Sequence, residues 1–440
     1  MSEPRPTMKL EEVLRHRKEV ITIDELTSYK RPRVRLHVQG IVLRDEVPGA
    51  LIKTKTQQVC RAGEFLVAEI DAKVGGFGIV PEPLNGSIVS SHYFLFVIDE
   101  AKLDRRFLDF FIRTPAFREQ VAAQGSTNYA AIRPSHVLGY QIPLPPLTEQ
   151  RRAVARIEEL AAQIHEARTL RHQTGQEGEA LWSSGLNSAL TGQLRDVRNG
   201  DRAIDLLSDA ARRHSATTRS KHNNAHPHEP QFLDTGPVAI PSHWQWTTLG
   251  SVLSCLIDCV NDTPDFVDAK TGLFGLKSTN IRPYKLDLSR HWYMSKSDFD
   301  TWNRRERPVV GDIVLTREAP MGYACILPPG DFCLTQRLLL LRCDPAIADS
   351  RFVLHYLNSS LFAEQVSEHS RGLTTPHIRV KDAPQFLFPL PPLAAQRRIV
   401  AELDALQTEV DALKRLQAET ATELDALLPA ILDKAFKGEL

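Results

Sequence analysis

Apolar residues near the end of the chain recur at steps of three and four positions. Side chains at these steps lie on one face of a helix, and a sustained run of them is typical of coiled-coil packing. The run predicts one long helix that needs a second helix as its partner. Its positions are Leu403, Leu406, Val410, Leu413, Thr420, Leu424 and Leu427.

An earlier stretch of the chain repeats this pattern. The sequence reads PLPPLTEQRRAV from Pro143 and PLPPLAAQRRIV from Pro389. Aligned without gaps, residues 142–194 and 388–440 share 20 identities in 53 positions. A repeat of this length indicates a duplicated structural unit rather than two unrelated amphipathic helices. In the first copy the seam positions are taken by Ile157, Leu160 and Ile164.

Two copies of one unit tend to pack about a pseudo-two-fold axis. We therefore expect the two helices to run antiparallel, with globular domains at opposite ends. A helix of about 40 residues would be ~60 Å long. Gly175, Gly178 and Gly185 lie inside the first helix and predict a kink or fraying there.

A segment of mixed character precedes each helix. Short apolar runs, such as residues 93–98 and 337–342, predict buried strands. Gly63-Glu-Phe-Leu-Val67 parallels Gly311-Asp-Ile-Val-Leu315, so the two segments are themselves related. The predicted fold class is α+β: two globular domains of mixed α/β content, separated by two long antiparallel helices. The predicted boundaries are domain 1 at 1–141, helix 1 at 142–194, a polar linker at 195–241, domain 2 at 242–387 and helix 2 at 388–440.

Composition limits the class of protein. No apolar run approaches the ~18 residues that span a bilayer, and the N-terminus lacks the apolar core of a signal peptide, so we expect a cytoplasmic protein. The 54 Lys and Arg residues balance the 54 Asp and Glu residues, so any DNA contact must rely on local basic clusters or on partners. The six cysteines are scattered, which favours reduced thiols over a zinc site.

Signatures of catalysis are absent from the sequence. It contains no GxxxxGK[ST] phosphate loop, no HExxH and no GxSxG. Asp71 and Lys73 have the D-x-K spacing of some nucleases, but no upstream acidic partner is evident. The residues predict a two-headed binding protein without its own catalysis, cofactor or metal.

The twice-written PLPPLxxQRRxV motif, followed by a heptad helix and an ALxGxL-like tail, resembles the specificity subunits of type I restriction-modification enzymes. Ile240–Val252 (IPSHWQWTTLGSV) and Gly311–Arg317 (GDIVLTR) look like parts of a target-recognition domain of that family. The resemblance implies that each globular domain recognises one half of a bipartite double-stranded DNA target. It also implies a helical spacer that sets the gap, two methylation subunits bound to it, and restriction subunits in the full complex. The partners would carry the methyltransferase and ATP-dependent endonuclease activities.

Base edges are read by basic and small polar side chains on loops that face a groove. Arg151, Arg152, Arg397 and Arg398 occur in both copies, so we assign them to helix packing, partner or phosphate contact instead. The stretches 125–133 and 371–379 are favoured because they precede the helices at matching places. The candidate DNA contacts are Lys53, Lys55, Lys73, Ser90, Ser91, His92, Tyr129, Arg133, Lys277, Ser278, Asn280, Arg282, Arg317, Gln336, Arg337, Thr374, Thr375, His377 and Arg379.

Two other functions are compatible with parts of this pattern. A two-headed coiled-coil scaffold could join two proteins without reading DNA. A self-sufficient modification enzyme is disfavoured, because no Asn-Pro-Pro-Tyr-like tetrapeptide of amino-methyltransferases is present.

Overall fold

The computed structural model divides the chain into two compact units. Unit 1 comprises Met1–Gln173 and Leu416–Leu440, and unit 2 comprises Thr174–Arg415. Each unit contains one globular part and a portion of both long helices. The structure describes residues 6–122, 131–193, 202–216, 229–258, 264–370 and 376–440.

Unit 1 is built from short strands, three short helices and the start of a long helix. The strands are β1 (Thr7–Lys9), β2 (Leu14–Arg17), β3 (Val20–Thr22), β4 (Ser28–Val34), β5 (Ile41–Pro48), β6 (Thr56–Val59), β7 (Phe65–Ala68), β8 (Phe77–Ile79), β9 (Ile88–Val89), β10 (Tyr93–Ile98) and β11 (Gln141–Pro143). The helices are α1 (Arg105–Phe111), α2 (Pro115–Ala122), α3 (Pro134–Gly139) and the long α4 (Leu147–Leu190).

The elements that follow α4 along the chain belong to unit 2, except for the end of α9. The strands are β12 (Gln245–Thr248), β13 (Leu253–Asp258), β14 (Phe266–Val267), β15 (Leu273–Leu276), β16 (Ile281–Arg282), β17 (Lys285–Leu286), β18 (Tyr293–Met294), β19 (Ile313–Thr316), β20 (Ala324–Ile326), β21 (Asp331–Leu334), β22 (Leu338–Cys343) and β23 (Leu387–Leu390). The helices are α5 (Ala203–Ala216), α6 (Lys296–Trp302), α7 (Ser350–Leu357), α8 (Ser360–Ser370) and α9 (Leu393–Lys437).

Both units contain the same four-stranded antiparallel sheet. Its order is β2-β10-β7-β8 in unit 1 and β13-β22-β19-β20 in unit 2. The third strand of each follows a glycine in the left-handed region, Gly63 (φ 83°) and Gly311 (φ 90°), where a side chain would be strained. The next residue is a buried carboxylate, Glu64 or Asp312, which accepts hydrogen bonds from an arginine. The relation between residues 63–67 and 311–315 therefore reflects a shared sheet.

The remaining strands differ between the units. In unit 1 a three-stranded sheet, β3-β6-β9, is accompanied by the separate hairpin β4–β5. In unit 2 the order β14-β18-β15-β21 includes one parallel pair, β15 with β21, and a small hairpin joins β16 to β17. The two units thus share one four-stranded sheet and differ in their other sheets and hairpins.

The two ends of each long helix are buried in different cores. Ile157 of α4 lies in the core of unit 1 with Phe107 and Phe111, where Leu432, Ala435 and Phe436 of α9 join it. In unit 2 the core contains Leu403 of α9 together with Leu186, Ala189 and Leu190 of α4. These sets are related by the 246-residue repeat. The start of each helix therefore packs on its own domain, and the end of the other helix completes that core.

Contacts within each unit confirm that the helices are antiparallel. In unit 1 Arg168 Nη2 lies 2.6 Å from Asp425 Oδ1, and Gln417 Nε2 donates to the Arg171 carbonyl at 3.1 Å. In unit 2 Lys414 Nζ lies 3.6 Å from Glu179 Oε1. The residue numbers on α9 fall as those on α4 rise. Ile164 and Val410 are buried in the seam, while Leu160, Leu406 and Leu413 are half-buried.

The predicted fraying at the glycines is wrong, because α4 is one continuous helix from Leu147 to Leu190. A Cβ placed on Gly178 would lie 3.4 Å from Leu413 Cδ2, and one on Gly185 would lie 2.7 Å from Leu406 Cδ2. These glycines let α9 approach α4 closely, and tertiary packing offsets the ~1 kcal/mol that each glycine costs a helix.

The predicted seam also departs from the structure toward the end of α9. Thr420 and Leu427 are exposed, whereas Leu428 and Ile431 pack against the core of unit 1. A straight helix has 3.6 residues per turn, whereas a seven-residue repeat assumes 3.5. Its contact face therefore drifts relative to a strict heptad. The surface that covers this face of α9 also changes along the helix, from α4 to the globular core of unit 1.

The segment 195–241 contains an element that its polar composition concealed. Helix α5 buries Ala203, Leu207 and Ala210 in the core of unit 2. Ile204 and Leu206 on the same helix are half-buried. The polar composition of the surrounding segment suggested a linker, although this helix is amphipathic.

A buried histidine should make unit 2 sensitive to acid. Burial, assisted by Arg351, lowers the pKa of His355 to about 4, although Asp349 opposes this shift. Unfolded His355 would take up a proton below about pH 6.5, whereas folded His355 would stay neutral until about pH 4. The free energy of unfolding should therefore fall by about 2 kcal/mol between pH 7 and pH 5 from this residue alone.

Denaturant unfolding at pH 7 and at pH 5, monitored by the hydrogen exchange of amides in unit 2, measures this change in the free energy of unfolding. His355→Gln should remove the His355 part of the loss. The exposed His165 on α4 is the control, and His165→Gln should leave the loss unchanged. An identical pH response in wild type and His355→Gln would refute the assignment.

No helix among the described residues is long and apolar enough to cross a membrane. Within the same residues, no group of three His, Cys, Asp or Glu side chains is placed to hold a metal ion. The described cysteines are free thiols, and burial raises the pKa of Cys60 and Cys325 to about 12.

Candidate nucleic-acid interface

A repeated glutamine attaches each long helix to its globular part. Gln150 Nε2 donates to the carbonyls of Lys102 and Pro145 at 2.8 Å each, and its Oε1 accepts from Asp104 N at 2.8 Å. In unit 2, Gln396 makes the same three bonds, to Ile347 O, Pro391 O and Asp349 N. Both glutamines are fully buried.

The same region is reinforced by matching ion pairs. Asp104 and Asp349 cap α1 and α7 by accepting from two backbone N–H groups each. An arginine two residues later pairs with the long helix, Arg106 with Glu158 and Arg351 with Asp404. These contacts are the same in both units. If the two units read different sequences, as the resemblance implies, the residues that tell them apart lie elsewhere.

A second repeated arrangement lies where β7 and β19 end, and here the side chains differ. In unit 1 Glu69 N donates to His92 O at 2.8 Å, and Ile132 N donates to Glu69 O at 2.9 Å. In unit 2 Arg317 N donates to Arg337 O, and Ile378 N donates to Arg317 O, both at 2.8 Å. We call these the matching loop clusters: residues 69, 92 and 132–133 in unit 1, and residues 317, 337 and 378–379 in unit 2.

The two clusters have one backbone plan and different chemistry. In unit 1 His92 Nδ1 lies 2.6 Å from Glu69 Oε2, next to the exposed Arg133. In unit 2 an arginine replaces the glutamate, and Arg317 Nε donates to Ile378 O at 3.0 Å. Arg379 occupies the place of Arg133. The two clusters therefore share a backbone frame and differ in the charges of their side chains.

The structure brings several predicted residues into these clusters. In unit 1 His92 bonds to Glu69, and Arg133 follows Ile132, which also bonds to Glu69. In unit 2 Arg317 bonds to Arg337 and to Ile378, which lies between His377 and Arg379 in the sequence. Arg337 is exposed and pairs with Glu318 at 2.8 Å. Tyr129, Thr374 and Thr375 lie outside the described residues.

Other predicted residues of the first domain are spread over its surface. Lys53 and Ser91 are exposed. Lys55 is half-buried, 2.9 Å from Glu25 Oε1. Lys73 is half-buried on the turn that follows β7, and the Ser90 carbonyl accepts from Gln58.

The remaining candidates of the second domain follow β15 directly, except for Gln336, which precedes β22. Lys277 Nζ sits 3.3 Å from the centroid of a Trp292 ring, and burial lowers its pKa. Asn280 is buried, and its amide bonds to the backbone of Lys277, Asp287 and Arg290, so it supports the loop. Ser278 is buried, Gln336 half-buried and Arg282 exposed.

Sequence reasoning missed one basic element, the hairpin β4–β5. Five Lys or Arg residues fall between positions 30 and 44, and alternation within KRPRVR could have indicated a strand with one basic face. Two prolines and overall neutrality hid this signal.

Comparison with known proteins agrees with this architecture. Residues 294–420 match the family model described as type I restriction modification DNA specificity domain. The EcoBI specificity subunit of Escherichia coli is 22% identical over 347 residues, which cover 78% of this chain and 67% of that protein.

Two solved structures share the fold along the whole chain. One is a chain from a structural study of complex assembly and conformational transition in the type I R-M system; it has a TM-score of 0.70 and 26% identity, over 100% of this chain and 99% of that one. The other is the HsdS subunit from Thermoanaerobacter tengcongensis, with a TM-score of 0.63 and 26% identity over 100% and 98%. The chain is similar to type I specificity subunits along its whole length. The predicted resemblance is therefore confirmed, with its non-catalytic role in DNA specificity, and the scaffold alternative has no support.

The glutamine contacts form part of the duplicated frame that holds each globular part on a long helix. Within that frame, the side chains of the two matching loop clusters differ.

Proposed function

We propose that this specificity subunit recognises a bipartite, asymmetric double-stranded DNA target, one half for each globular domain. The target-recognition domains would be residues 1–141 and 242–387. The spacer helices would be residues 142–194 and 388–440, with residues 195–241 as the linker. The spacer would set the gap between the half-sites, as dimer geometry does for operators.

The matching loop clusters carry this proposal. Their backbone hydrogen bonds are the same in both units, yet Glu69 and His92 stand where Arg317 and Arg337 stand in unit 2. A carboxylate accepts from cytosine N4, whereas an arginine donates to guanine O6 and N7. The two halves of the target should therefore differ.

The partners would be two methylation subunits, joined by restriction subunits in the full complex. The chain's net charge is zero, so these partners would supply much of the positive charge that neutralises DNA phosphates. The repeated Arg151, Arg152, Arg397 and Arg398 would lie at equivalent places on the two helices and suit a partner present twice.

A methylome tests the proposal. The full chain is co-expressed with its cognate methylation subunit in an unmethylated host, and modified adenines are located by modification-sensitive sequencing. We expect one split, asymmetric motif with a fixed gap. Replacing residues 242–387 with another recognition domain should change one half only. A stable complex without any motif, or a change in both halves, would refute the proposal.

A further inference from the structure

The positive charge of the first domain is concentrated in one element. Residues 1–141 contain 20 basic and 17 acidic residues. Hairpin β4–β5, residues 28–48, contains five basic and two acidic residues, so the remaining positions of 1–141 balance at 15 and 15. The whole surplus of three positive charges lies in this hairpin.

The hairpin presents most of this charge to solvent. Its inner face packs on the domain through Tyr29, Val34, Ile41 and Val47. Arg31 is neutralised by Asp45, with two bonds of 2.7 Å. The remaining cations are exposed: Lys30, Arg33, Arg35 and Arg44.

A bulge turns one of these cations outward. In the register of the two strands, Arg31 lies opposite Asp45 and Pro32 lies opposite Leu43. Arg44 is therefore left without an opposite residue. Such bulges bend a strand and re-aim a side chain. The Arg44 side chain is 62% exposed, and its Nε lies 3.4 Å from Asp45 Oδ2. Arg33 and Arg35 have no side-chain hydrogen bond or ion pair within the described part of the chain.

The tip of the hairpin is anchored beside the loop cluster of unit 1. His37 and Val38 have φ values of 57° and 58°, an unusual region for a β-branched residue. Their N–H groups donate to Val74 O at 2.7 Å and Gly75 O at 3.0 Å. A Cβ on Gly75 would lie 2.8 Å from Val38 N, so this contact requires glycine. The anchoring turn, Asp71–Val74 with Gly75, begins two residues after Glu69.

We propose that hairpin β4–β5 is a DNA-contacting ribbon of the first domain, in which Arg33 and Arg35 bind the half-site next to the loop cluster. This inference rests on the proposed function. The major groove admits a two-stranded β-ribbon, and unpaired guanidinium groups bind guanine edges or phosphates. In unit 2 the strands between β13 and β19 form a different sheet, so the ribbon serves one half-site only.

The test uses the complex of the full chain with its methylation subunit and a duplex carrying the motif from the methylome. Arg33→Ala with Arg35→Ala should weaken binding on the order of tenfold or more at fixed salt. The magnitude of the slope of log affinity against log salt should fall by about one to two. Arg15→Ala, an exposed arginine on β2, is the control and should change binding less than twofold.

Arg33→Lys with Arg35→Lys distinguishes the two kinds of contact. If the arginines bind phosphates, lysine should restore the affinity and the motif. If they read bases, lysine should keep the salt slope but relax the first half of the motif, with the second half intact. Either result supports the ribbon. Unchanged binding in the Ala variant, or equal relaxation of both halves, overturns it. A wild-type complex without a split motif would instead refute the proposed function.

Discussion

Replacing Phe436 with Ala should destabilise unit 1 by about 4 kcal/mol. Loss of a buried Phe side chain costs about 3–5 kcal/mol through lost burial and the cavity left behind. Phe436 lies at the end of α9, yet its ring centroid is 4.8 Å from Phe107 and 5.1 Å from Phe111. The last turns of the chain are therefore part of the core of the first domain.

Hydrogen exchange is the suitable measurement, because a chain of two units need not unfold in one step. Amides of β7 and β10 should lose protection in Phe436→Ala. Leu427→Ala is the matched control on the same helix, since Leu427 is 44% exposed and should cost less than about 0.5 kcal/mol. Equal effects of the two variants would show that α9 does not insert into this core as described.

Gln396→Ala should destabilise unit 2 by about 3 kcal/mol or more. The substitution leaves Asp349 N, Ile347 O and Pro391 O without their partner, at bonds of 2.8, 3.0 and 2.9 Å. A buried polar group without a hydrogen bond costs about 1–3 kcal/mol. Because Asp349 also caps α7, the start of that helix should lose protection first.

The repeat supplies a built-in comparison for this variant. Gln150→Ala should have the same effect on unit 1, with α1 in place of α7. Gln407→Ala on α9 removes one bond to Asp411, at 2.8 Å, and should cost less than about 1 kcal/mol. If Gln396→Ala lowered protection equally in both units, the glutamine would not act as a local attachment of helix to domain.

Phe436→Ala and Gln396→Ala should also affect the proposed function of the long helices as a spacer. A helix fixes a distance between two half-sites only if each of its ends is held firmly by a domain. We expect each variant to broaden or weaken the methylation motif before it abolishes folding, with the half-site of the affected unit changing first.

The duplication, the long helices and the family were readable from the sequence, because each depends on local patterns. Heptad spacing and a motif written twice need no knowledge of distant contacts. The same local reasoning was wrong at Gly178 and Gly185. Their helix propensity predicts a break, but Leu413 and Leu406 of another helix occupy the space that the missing side chains leave.

The candidate interface was only partly predictable. The sequence predicted polar residues on loops, but a sequence does not say which loops meet. The backbone bonds that join Glu69 to His92 and Ile132 connect positions far apart in the chain. Asn280 looked like a base reader, yet folding commits its amide to three backbone groups.

By itself, the sequence determined that this protein has a duplicated plan with two long helices, that it resembles type I specificity subunits, and that it contains no recognisable catalytic motif. Only the tertiary structure decided that each domain core is completed by the far end of the other helix, and that Arg33 and Arg35 stand on an exposed ribbon anchored beside a loop cluster. Periodicity records which face of an element is apolar. It does not record which surface covers that face, because the covering residues come from distant parts of the chain.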